Sequence, residues 1–360
     1  MRLGVSGVFS DDIAIDLGTA NTLVHVAGKG IVIDEPSVVA IRSRNGTREV
    51  LAVGAKAKAM LGRTPESMET IRPLRDGVIA DFIATEQMLR HFIARTRRTF
   101  DFRRPRIAIC VPAGATPVER RAVYETALTA GARRVYLIEE PVAASLGAGL
   151  PIDDPAGTMV VDIGGGTTDI AVLSLGGVVL ARSFRVAGNA MDEAIIRHVR
   201  RSHQLLIGEG NAERIKIEAG TASSSVSSSS VSSSSVTSPN ANGRDAEIHI
   251  RGRDLRLGRP KSIVLGPQDI ADALEQPVEE LAEFIMRALE DLPPDVSTDV
   301  CERGICLTGG GALLHNLDVE LERRVGVSFI VPERPTHCVI NGTAAVLQDF
   351  AAREHLLIKP

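Results

Sequence analysis

Aromatic side chains are scarce in this sequence, which has no tryptophan and only two tyrosines. Proteins that bind single-stranded nucleic acid usually stack the bases on aromatic rings in a basic groove. The formal net charge is −4, because 45 acidic residues outnumber 41 basic ones. The sequence therefore predicts that nucleic acid is not a partner.

Cysteine is also scarce, and the four cysteines are Cys110, Cys301, Cys306 and Cys338. They form no Cys-x-x-Cys pair and show no ligand-like spacing with the eight histidines. This pattern argues against a disulfide framework and against a zinc site. We expect reduced, buried thiols in a cytoplasmic protein.

Long apolar runs are missing, since no window reaches the roughly 18 consecutive apolar residues of a spanning helix. The opening stretch "MRLGVSGVFSDD" has one basic residue and no small-residue cleavage site, so it does not predict a secretory signal. A chain of 360 residues, of which 44% are hydrophobic, is longer than one core usually serves. We therefore expect at least two lobes.

Strand-like and helical patterns alternate along the chain. Residues 85–98 carry apolar side chains at helical spacing, and Thr116-Pro117-Val118-Glu119 is typical of a capping box that starts a helix reaching about residue 130. Further helices are predicted from Pro141 and over residues 191–203, 211–219, 268–291 and 311–324. Strands such as "RIAICVP" and "RVYLIEE" lie between helices, which predicts α/β layers.

The opening "DIAIDLGTANTLVHV" resembles the later "MVVDIGGGTTDIAVLSL", since each has an apolar run, an aspartate, a glycine turn and a second apolar strand. This repeat predicts two lobes built on the same plan. Such a turn can also bind an anion, and Mg²⁺ would reconcile a phosphate with the neighbouring Asp16 or Asp162. Alone, each turn is more typical of an ordinary hairpin than of a phosphate site. A third cluster, "LTGGGALL" at 307–314, follows a strand and is predicted to open a helix.

These motifs, taken in order, resemble a known superfamily. Together with "EPSVVAI", "RPLRDGVIADF" and "EEPVAA", they are similar to the actin, hexokinase and heat-shock-ATPase superfamily, and most closely to the MreB family of bacterial actin-like, rod-shape-determining proteins. The resemblance runs from about residue 10 to 335. It implies an α/β, actin-like fold, with two α/β lobes around a central nucleotide cleft.

The resemblance also implies a division of the chain. Residues 1–150 would form the first lobe, with a smaller subdomain at about 35–71. Residues 151–335 would form the second lobe, with a smaller subdomain at about 188–258 that carries a serine-rich loop, 222–238. Residues 336–360 would return to the first lobe.

Site residues follow from the same resemblance, with ATP or ADP and Mg²⁺ as the cofactors. Asp16 and Asp162 would lie near the metal. The catalytic group would be Glu140, Asp162 and Thr167. The nucleotide would be bound by Thr19, Ala20, Asn21, Gly164, Gly165, Gly166, Glu213, Arg214, Ile215, Lys216, Gly309, Gly310, Gly311 and Ala312. Without the resemblance, Glu213 and Lys216 would be an ordinary surface pair at helical spacing.

Glu140 precedes a proline at the start of a predicted helix, where a carboxylate is favoured by the helix dipole alone. Hydrolysis also requires a group that orients water toward the γ-phosphoryl, and the resemblance implies this role for Glu140. Glu139 is the weaker candidate, because it does not adjoin the proline.

The stretch "RTRRTFDFRRPR" surrounds Phe100 and Phe102 with arginines, which is typical either of a solvated loop or of a membrane-contacting one. The resemblance favours membrane contact, with Leu3, Val5, Val8 and Phe9 as a second weak anchor. Val118 is a candidate contact between paired protofilaments. The implied partners are other copies of the chain, the inner face of the cytoplasmic membrane and the cell-wall elongation machinery. The implied location is cytoplasmic and peripheral to the inner membrane.

The resemblance implies a slow ATPase that polymerises into membrane-associated filaments and directs cell shape and cell-wall synthesis in a bacterium. Alternatives are a divergent paralogue, a non-polymerising chaperone-type nucleotide switch and a small-molecule kinase. The chain leaves no room for a peptide-binding domain, and no segment stands out for a second substrate. Two departures from the family pattern favour a paralogue: the serine run, and the stretch Val339 to Ala344, where a glycine-rich turn is expected before the last helix.

Overall fold

The computed structural model describes residues 12–44, 47–96, 104–223 and 247–360. Three sequence predictions lie outside these residues. They are the membrane loop with Phe100 and Phe102, the apolar N-terminal anchor, and all but the first two residues of the serine-rich loop.

The strands are short and mostly paired with neighbours in the sequence. They are β1 (Ile13–Leu17), β2 (Asn21–Val26), β3 (Gly30–Pro36), β4 (Val39–Arg44), β5 (Thr47–Val53), β6 (Met68–Ile71), β7 (Leu74–Arg75), β8 (Val78–Ile79), β9 (Arg106–Val111), β10 (Arg134–Glu139), β11 (Thr158–Ile163), β12 (Thr168–Ser174), β13 (Gly177–Phe184), β14 (Leu205–Leu206), β15 (Ile248–Asp254), β16 (Pro260–Leu265), β17 (Ile305–Thr308), β18 (Phe329–Ile330) and β19 (Leu357–Ile358).

The helices lie between these strands. They are α1 (Ala55–Lys58), α2 (Phe82–Thr96), α3 (Pro117–Ala130), α4 (Glu140–Gly147), α5 (Gly188–His203), α6 (Glu209–Ala219), α7 (Pro267–Glu290), α8 (Pro294–Arg303), α9 (Leu317–Val325), α10 (Cys338–Gln348) and α11 (Phe350–Arg353). Single 3₁₀ turns occur at Gly311–Leu313, Pro335–His337 and Glu354–Leu356. No described helix combines the length and the apolar character that crossing a membrane requires.

Two large sheets form the centres of two α/β lobes. The first is six-stranded, in the order β19-β10-β9-β1-β2-β3, and the second is five-stranded, in the order β13-β12-β11-β17-β18. Each has its own apolar core: Ile13, Ile107 and Phe92 are fully buried in the first lobe, and Val161, Met191 and Ile285 in the second. These two lobes agree with the predicted α/β architecture of two lobes.

Smaller three-stranded sheets accompany the large ones, in the orders β5-β4-β6 and β14-β15-β16. Strands β4, β5 and β6 lie in the segment expected for the first smaller subdomain, and β14 and β15 lie in the second, whereas β16 lies beyond its predicted end at about residue 258. Strand β19 pairs with β10 of the first large sheet. The boundaries between lobes stay a prediction.

A third apolar cluster lies beneath the cleft and joins the lobes through helices α4 and α10. The two helices cross at glycines: a Cβ on Gly147 would lie 1.8 Å from the carbonyl oxygen of Cys338, and one on Gly342 would lie 1.8 Å from that of Ala143. Only glycine allows the two backbones to come this close.

Several local predictions are corrected. The predicted helix 311–324 is a 3₁₀ turn at Gly311–Leu313 followed by α9 from Leu317, because Asn316 adopts a left-handed conformation between them. The stretch Val339 to Ala344 lies inside α10 and is not a turn before it. Helix α8 was not predicted. Cys110, Cys306 and Cys338 are buried as expected, whereas Cys301 is exposed.

The capping box at the start of α3 is confirmed. Thr116 Oγ1 accepts a hydrogen bond from the Glu119 amide, and the Glu119 carboxylate accepts one from the Thr116 amide. Pro117 occupies the first helical turn, where its missing N–H group costs nothing.

Candidate nucleotide-binding cleft

A cavity of about 440 Å³ is lined by residues from both lobes. Its walls include the β1–β2 turn, the β11–β12 turn and the starts of α4 and α5. The cavity has the size of a small-ligand pocket.

The two hairpin turns meet at this cavity, and both of them line it. A Cβ on Gly165 would lie 2.7 Å from Ala20 Cβ, and one on Gly166 would lie 2.8 Å from Thr19 Oγ1. The Gly77 amide donates a hydrogen bond to Thr19 Oγ1 over 3.1 Å and orients this side chain. The close approach therefore requires glycine on the second turn, and the prediction that the turns form two walls of one cleft agrees with this placement.

Asp16 and Asp162 end equivalent strands. Asp162 is buried, and Asp16 is mostly buried with part of its surface open to the cleft. Burial raises the pKa of Asp16 to about 6, although a hydrogen bond from Cys110 Sγ over 3.4 Å lowers it. Burial raises the pKa of Asp162 to about 7, against a hydrogen bond of 2.6 Å from Thr308 Oγ1. Across the described part of the chain, no lysine or arginine forms an ion pair with either carboxylate.

Glu140 lines the cleft at the first residue of α4. Burial holds its pKa well above the usual range, and the neighbouring Asp169 carboxylate raises it further. Glu139 does not line the cleft; it forms an ion pair of 3.5 Å with Arg120. Of the two glutamates, only the one that adjoins the proline, Glu140, lines the cleft.

Asp169 belongs to this carboxylate group but was not assigned a role from the sequence. It lies opposite Asp162 in the β11–β12 ladder; its Oδ1 accepts a hydrogen bond from the Ala113 amide, and its buried Oδ2 has no hydrogen-bond partner. Burial raises the pKa of Asp169, against hydrogen bonds from Ser183, Ala113 and Thr167. The signal was present in the period-2 pattern of the hairpin, which places Asp162 and Asp169 at facing positions.

Helix α6 contributes Glu213 and Lys216 to the cleft wall. They do not pair with each other: Lys216 Nζ lies 2.8 Å from Asp192 Oδ1 and donates to the Gly188 carbonyl over 2.7 Å. Arg214 and Ile215 do not line the cleft, because Arg214 binds Glu218 and the His249 carbonyl while Ile215 is fully buried in the core.

The third glycine cluster lies at the same cleft. Gly309, Gly310 and Gly311 line it, whereas Ala312 does not. A Cβ on Gly309 would lie 2.3 Å from the Ile163 carbonyl oxygen, and Gly309 has a φ of +82°. This segment therefore needs glycine for backbone packing whether or not a ligand is bound.

The cleft also contains residues that the sequence did not single out, including Arg72, Gly188, Asn189, Asp192 and Thr336. The Gly188 and Asn189 amides donate to the carbonyls of Gly164 and Gly165, which attaches the start of α5 to the second turn. Asp192 belongs to no recognisable sequence motif. Its ion-pair partner, Lys216, lies in another helix, so the pair could not be read from neighbouring residues.

Two ion pairs at the edge of the cleft connect residues near the sheet β5-β4-β6 with helix α6, which lies near the sheet β14-β15-β16. Lys58 Nζ lies 2.7 Å from Glu213 Oε1, and Arg72 lies 3.4 Å from Glu209. Both pairs join the first lobe to helix α6 of the second. The cleft is thus bridged on the side of the smaller sheets.

A family model described as MreB/Mbl protein matches residues 10–355 of the chain. The chain belongs to the MreB/Mbl family. The cell shape-determining protein MreB of Escherichia coli strain K12 is 51% identical over 345 residues, which cover 95% of this chain and 94% of that protein.

Two solved structures of MreB5 from Spiroplasma citri extend the comparison to three dimensions. The structure bound to AMPPNP has a TM-score of 0.86 at 32% identity and covers 97% of this chain and 99% of its own. The structure bound to ADP has a TM-score of 0.84 at 33% identity, with coverage of 95% and 98%. The MreB/Mbl family assignment therefore rests on sequence and on fold over nearly the whole chain.

Proposed function

We propose that this chain is an ATP-binding and slowly ATP-hydrolysing cytoskeletal protein that polymerises into membrane-associated filaments and directs bacterial cell shape and cell-wall synthesis. The observation that carries the proposal is the cleft in which two glycine-containing turns meet above the buried Asp16 and Asp162. Support comes from the relatives named for cell-shape determination and from the two MreB5 structures that hold ADP or AMPPNP.

The two turns are proposed to bind the phosphates. Gly164 to Gly166 expose backbone without side chains on one side, and Thr19 to Asn21 lie on the other. Backbone amides in such turns form an anion-binding concavity. Glu213, Lys216 and Gly309 to Gly311 are proposed to contact the nucleoside, since they line the same cavity.

Asp16 and Asp162 suit a divalent cation, because they are buried oxygen ligands with raised pKa values and without a basic partner among the residues described. Mg²⁺ keeps several water ligands and is usually held by one or two carboxylates, which suits the two aspartates that line this cleft from opposite lobes. When bound, Mg²⁺ would supply positive charge that offsets the phosphates and the carboxylates.

Glu140 is proposed to orient the attacking water. Its carboxylate lines the cleft at a helix start that is fixed by packing. Because Asp16 and Asp162 are among the groups that raise its pKa, neutralising them would favour the ionised Glu140 that accepts a hydrogen bond from water. Thr167, whose side chain contacts Asp169, is proposed to hold this arrangement.

Self-association is proposed to involve helix α3, where Val118 is 79% exposed despite its apolar side chain. Residues Phe100 and Phe102, in a basic stretch of sequence, are proposed to contact anionic lipid at the inner face of the cytoplasmic membrane. Two weak anchors per subunit would give strong attachment once many subunits are linked. The cell-wall elongation machinery is the proposed partner of the filament.

The test uses purified protein with ATP, Mg²⁺ and anionic liposomes. We expect filaments on the lipid by electron microscopy, and loss of lipid attachment but not of nucleotide binding in Phe100→Ser/Phe102→Ser. Glu140→Gln should bind ATP normally and release phosphate at least about a hundredfold more slowly. Its matched control is Glu139→Gln, which should keep the wild-type rate. Monomers under all conditions, or equal rates in the two glutamate variants, would refute the corresponding part of the proposal.

A further inference from the structure

Two imidazoles and one carboxylate converge where the end of α5 meets the start of α7, away from the nucleotide cleft. They belong to His198, His203 and Asp269, and one ligand atom from each lies within 4.8 Å of the others. Asp269 Oδ1 is 3.4 Å from His203 Nε2 and 4.0 Å from His198 Nε2. None of the three lines the cleft.

The two imidazole nitrogens are chemically unsatisfied. Both Nε2 atoms are shielded from solvent, and neither makes a hydrogen bond. Burial lowers the pKa of His198, which favours its neutral form. A neutral imidazole presents a lone pair at one nitrogen, and a shielded lone pair without a donor is costly unless something binds it.

The spacing of the three atoms suits a metal ion. Ligands at about 2.0–2.1 Å from a tetrahedral metal lie about 3.3–3.4 Å from each other, so the His203–Asp269 separation already fits. The His198–Asp269 separation of 4.0 Å would have to shorten by about 0.6–0.7 Å, which a small rotation of the imidazole supplies.

The carboxylate is held in place independently of any metal. Asp269 Oδ2 accepts a hydrogen bond of 3.0 Å from the Gly266 amide and caps the start of α7. This bond leaves Oδ1 as the oxygen directed at the histidines. The carboxylate is therefore oriented before an ion arrives, and the two histidines near the end of one helix need only a small rotation of one imidazole to complete the donor set.

We propose that His198, His203 and Asp269 form a binding site for a late first-row divalent transition metal, of which Zn²⁺ is the representative probe. Two imidazoles and one carboxylate favour Zn²⁺, Co²⁺ or Ni²⁺ over Mg²⁺, which prefers oxygen ligands. Three protein ligands leave a fourth position for water or another donor. The ion ties the end of α5 to the start of α7.

This site lies at the far end of a helix that begins in the nucleotide cleft, since α5 starts at Gly188 and ends at His203. Metal binding would restrict the segment between the cleft and the sheet β14-β15-β16, because β14 follows directly after α5. Sequence analysis did not predict this site, because the third ligand, Asp269, is remote in the chain from the two histidines.

In the experiment, the protein is first stripped of metal and then saturated with Mg²⁺ and ADP, so that the cleft carboxylates are occupied. Co²⁺ is then titrated into this sample. All variants carry Cys301→Ser, because this thiol is exposed and would compete for the ion. We expect one equivalent of Co²⁺ with a visible absorption band that Zn²⁺ displaces. His198→Gln and His203→Gln should each weaken binding by at least about tenfold, since even indirect partners of a metal ligand contribute 10–100-fold.

The matched control is His249→Gln, which removes an exposed histidine on β15 and should bind as the parent does. Urea denaturation without metal shows whether each variant folds, and Zn²⁺ should then raise the midpoint in the control but not in His203→Gln. Absence of the Co²⁺ band, or equal affinities in His203→Gln and His249→Gln, would overturn the proposal.

Discussion

The two large sheets share one plan. In the first, β3, β2, β1, β9 and β10 are neighbours in that order, and in the second the order is β13, β12, β11, β17 and β18. The matching pairs also have the same directions, with two antiparallel ladders followed by two parallel ones. Equivalent positions in the two lobes can therefore be compared residue by residue.

The aspartates at the ends of β1 and β11 are equivalent but differently bound. Asp162 is in register with Thr308, whose hydroxyl donates over 2.6 Å, whereas Asp16 faces the thiol of Cys110 at 3.4 Å. Their turns differ too, since Gly165 comes so close to Ala20 that only one of the two can carry a Cβ. The shared strand order therefore places an aspartate at the same position in each lobe. At the cleft, the turn of the first lobe presents side chains, and the turn of the second lobe presents glycine backbone.

The contact between helices α4 and α10 is symmetric. Gly147 faces the carbonyl of Cys338, four residues before Gly342, and Gly342 faces the carbonyl of Ala143, four residues before Gly147. Gly147→Ala and Gly342→Ala should therefore destabilise the protein to similar extents, by about 3 kcal/mol or more, since backbone rather than a flexible side chain blocks the added methyl. Urea denaturation measures the loss. Gly210→Ala is the control: it lies in helix α6 with open space around it and should be neutral or stabilising. A large difference between the two crossing variants would contradict the symmetry.

The buried carboxylates predict an unusual pH dependence for the metal-free, nucleotide-free protein. The folded-state pKa values of about 6 for Asp16 and about 7 for Asp162 exceed the unfolded value of about 3.9. The folded protein therefore binds more protons, and stability that is full below pH 4 is lost as the pH rises through 7. We expect the free energy of unfolding in EDTA to be a few kcal/mol higher at pH 5.5 than at pH 8.

Asp162→Asn should flatten this profile, because the asparagine does not titrate. Mg²⁺ with ADP should restore stability at pH 8. Carboxylates with lowered pKa values, such as Glu35 and Glu320, act only at lower pH and do not mask the effect. Burial lowers the pKa values of His25, His91 and His198, which act in the opposite direction over the same pH range. The decisive comparison is therefore with Asp162→Asn, and identical pH profiles in this variant and the wild type would contradict the raised pKa of Asp162.

The unequal donors to the two aspartates give a finer test. Thr308→Val removes the hydroxyl that lowers the pKa of Asp162, so this pKa should rise by about one unit, equivalent to roughly 1.4 kcal/mol. Cys110→Ala should raise the pKa of Asp16 by less, because a thiol is a weak donor. Titration of ¹³C-labelled aspartate by NMR, assigned with Asp16→Asn and Asp162→Asn, measures both. Thr308→Ser keeps the hydroxyl and should leave the pKa near that of the wild type; equal shifts in the first two variants would contradict the comparison.

The sequence predicted the shared strand and helix arrangement of the two lobes well, because that arrangement depends on local sequence patterns. The repeated hairpins, the capping box at Thr116 and the helix after Pro141 depend on residues close in the chain, and each was confirmed within one or two residues. The carboxylates Asp16, Glu140 and Asp162 were identified because motif and family pattern coincide there. Asp169 was passed over although the hairpin period places it opposite Asp162.

Contacts between distant segments were not predicted. Asn316 breaks the helix expected over 311–324 through a left-handed conformation that its neighbours in sequence do not signal. Helical spacing alone would pair Glu213 with Lys216, whereas their ion-pair partners Lys58 and Asp192 lie on other helices. Such choices depend on how the lobes approach each other, and a single sequence carries little information about that.

The ion pair between Lys58 and Glu213 tests whether the approach of the lobes matters for the ligand. Its side chains are 36% and 24% exposed, so Lys58→Ala should change the free energy of unfolding by less than about 1 kcal/mol. Because the pair bridges the lobes, we expect ADP to dissociate two- to threefold faster, a difference of roughly 0.5 kcal/mol, in stopped-flow experiments with a fluorescent analogue. Arg42→Ala is the control, since Arg42 pairs with Glu49 inside one small sheet and bridges nothing. Equal dissociation rates in the two variants would mean that the ion pair between Lys58 and Glu213 does not help to retain the ligand.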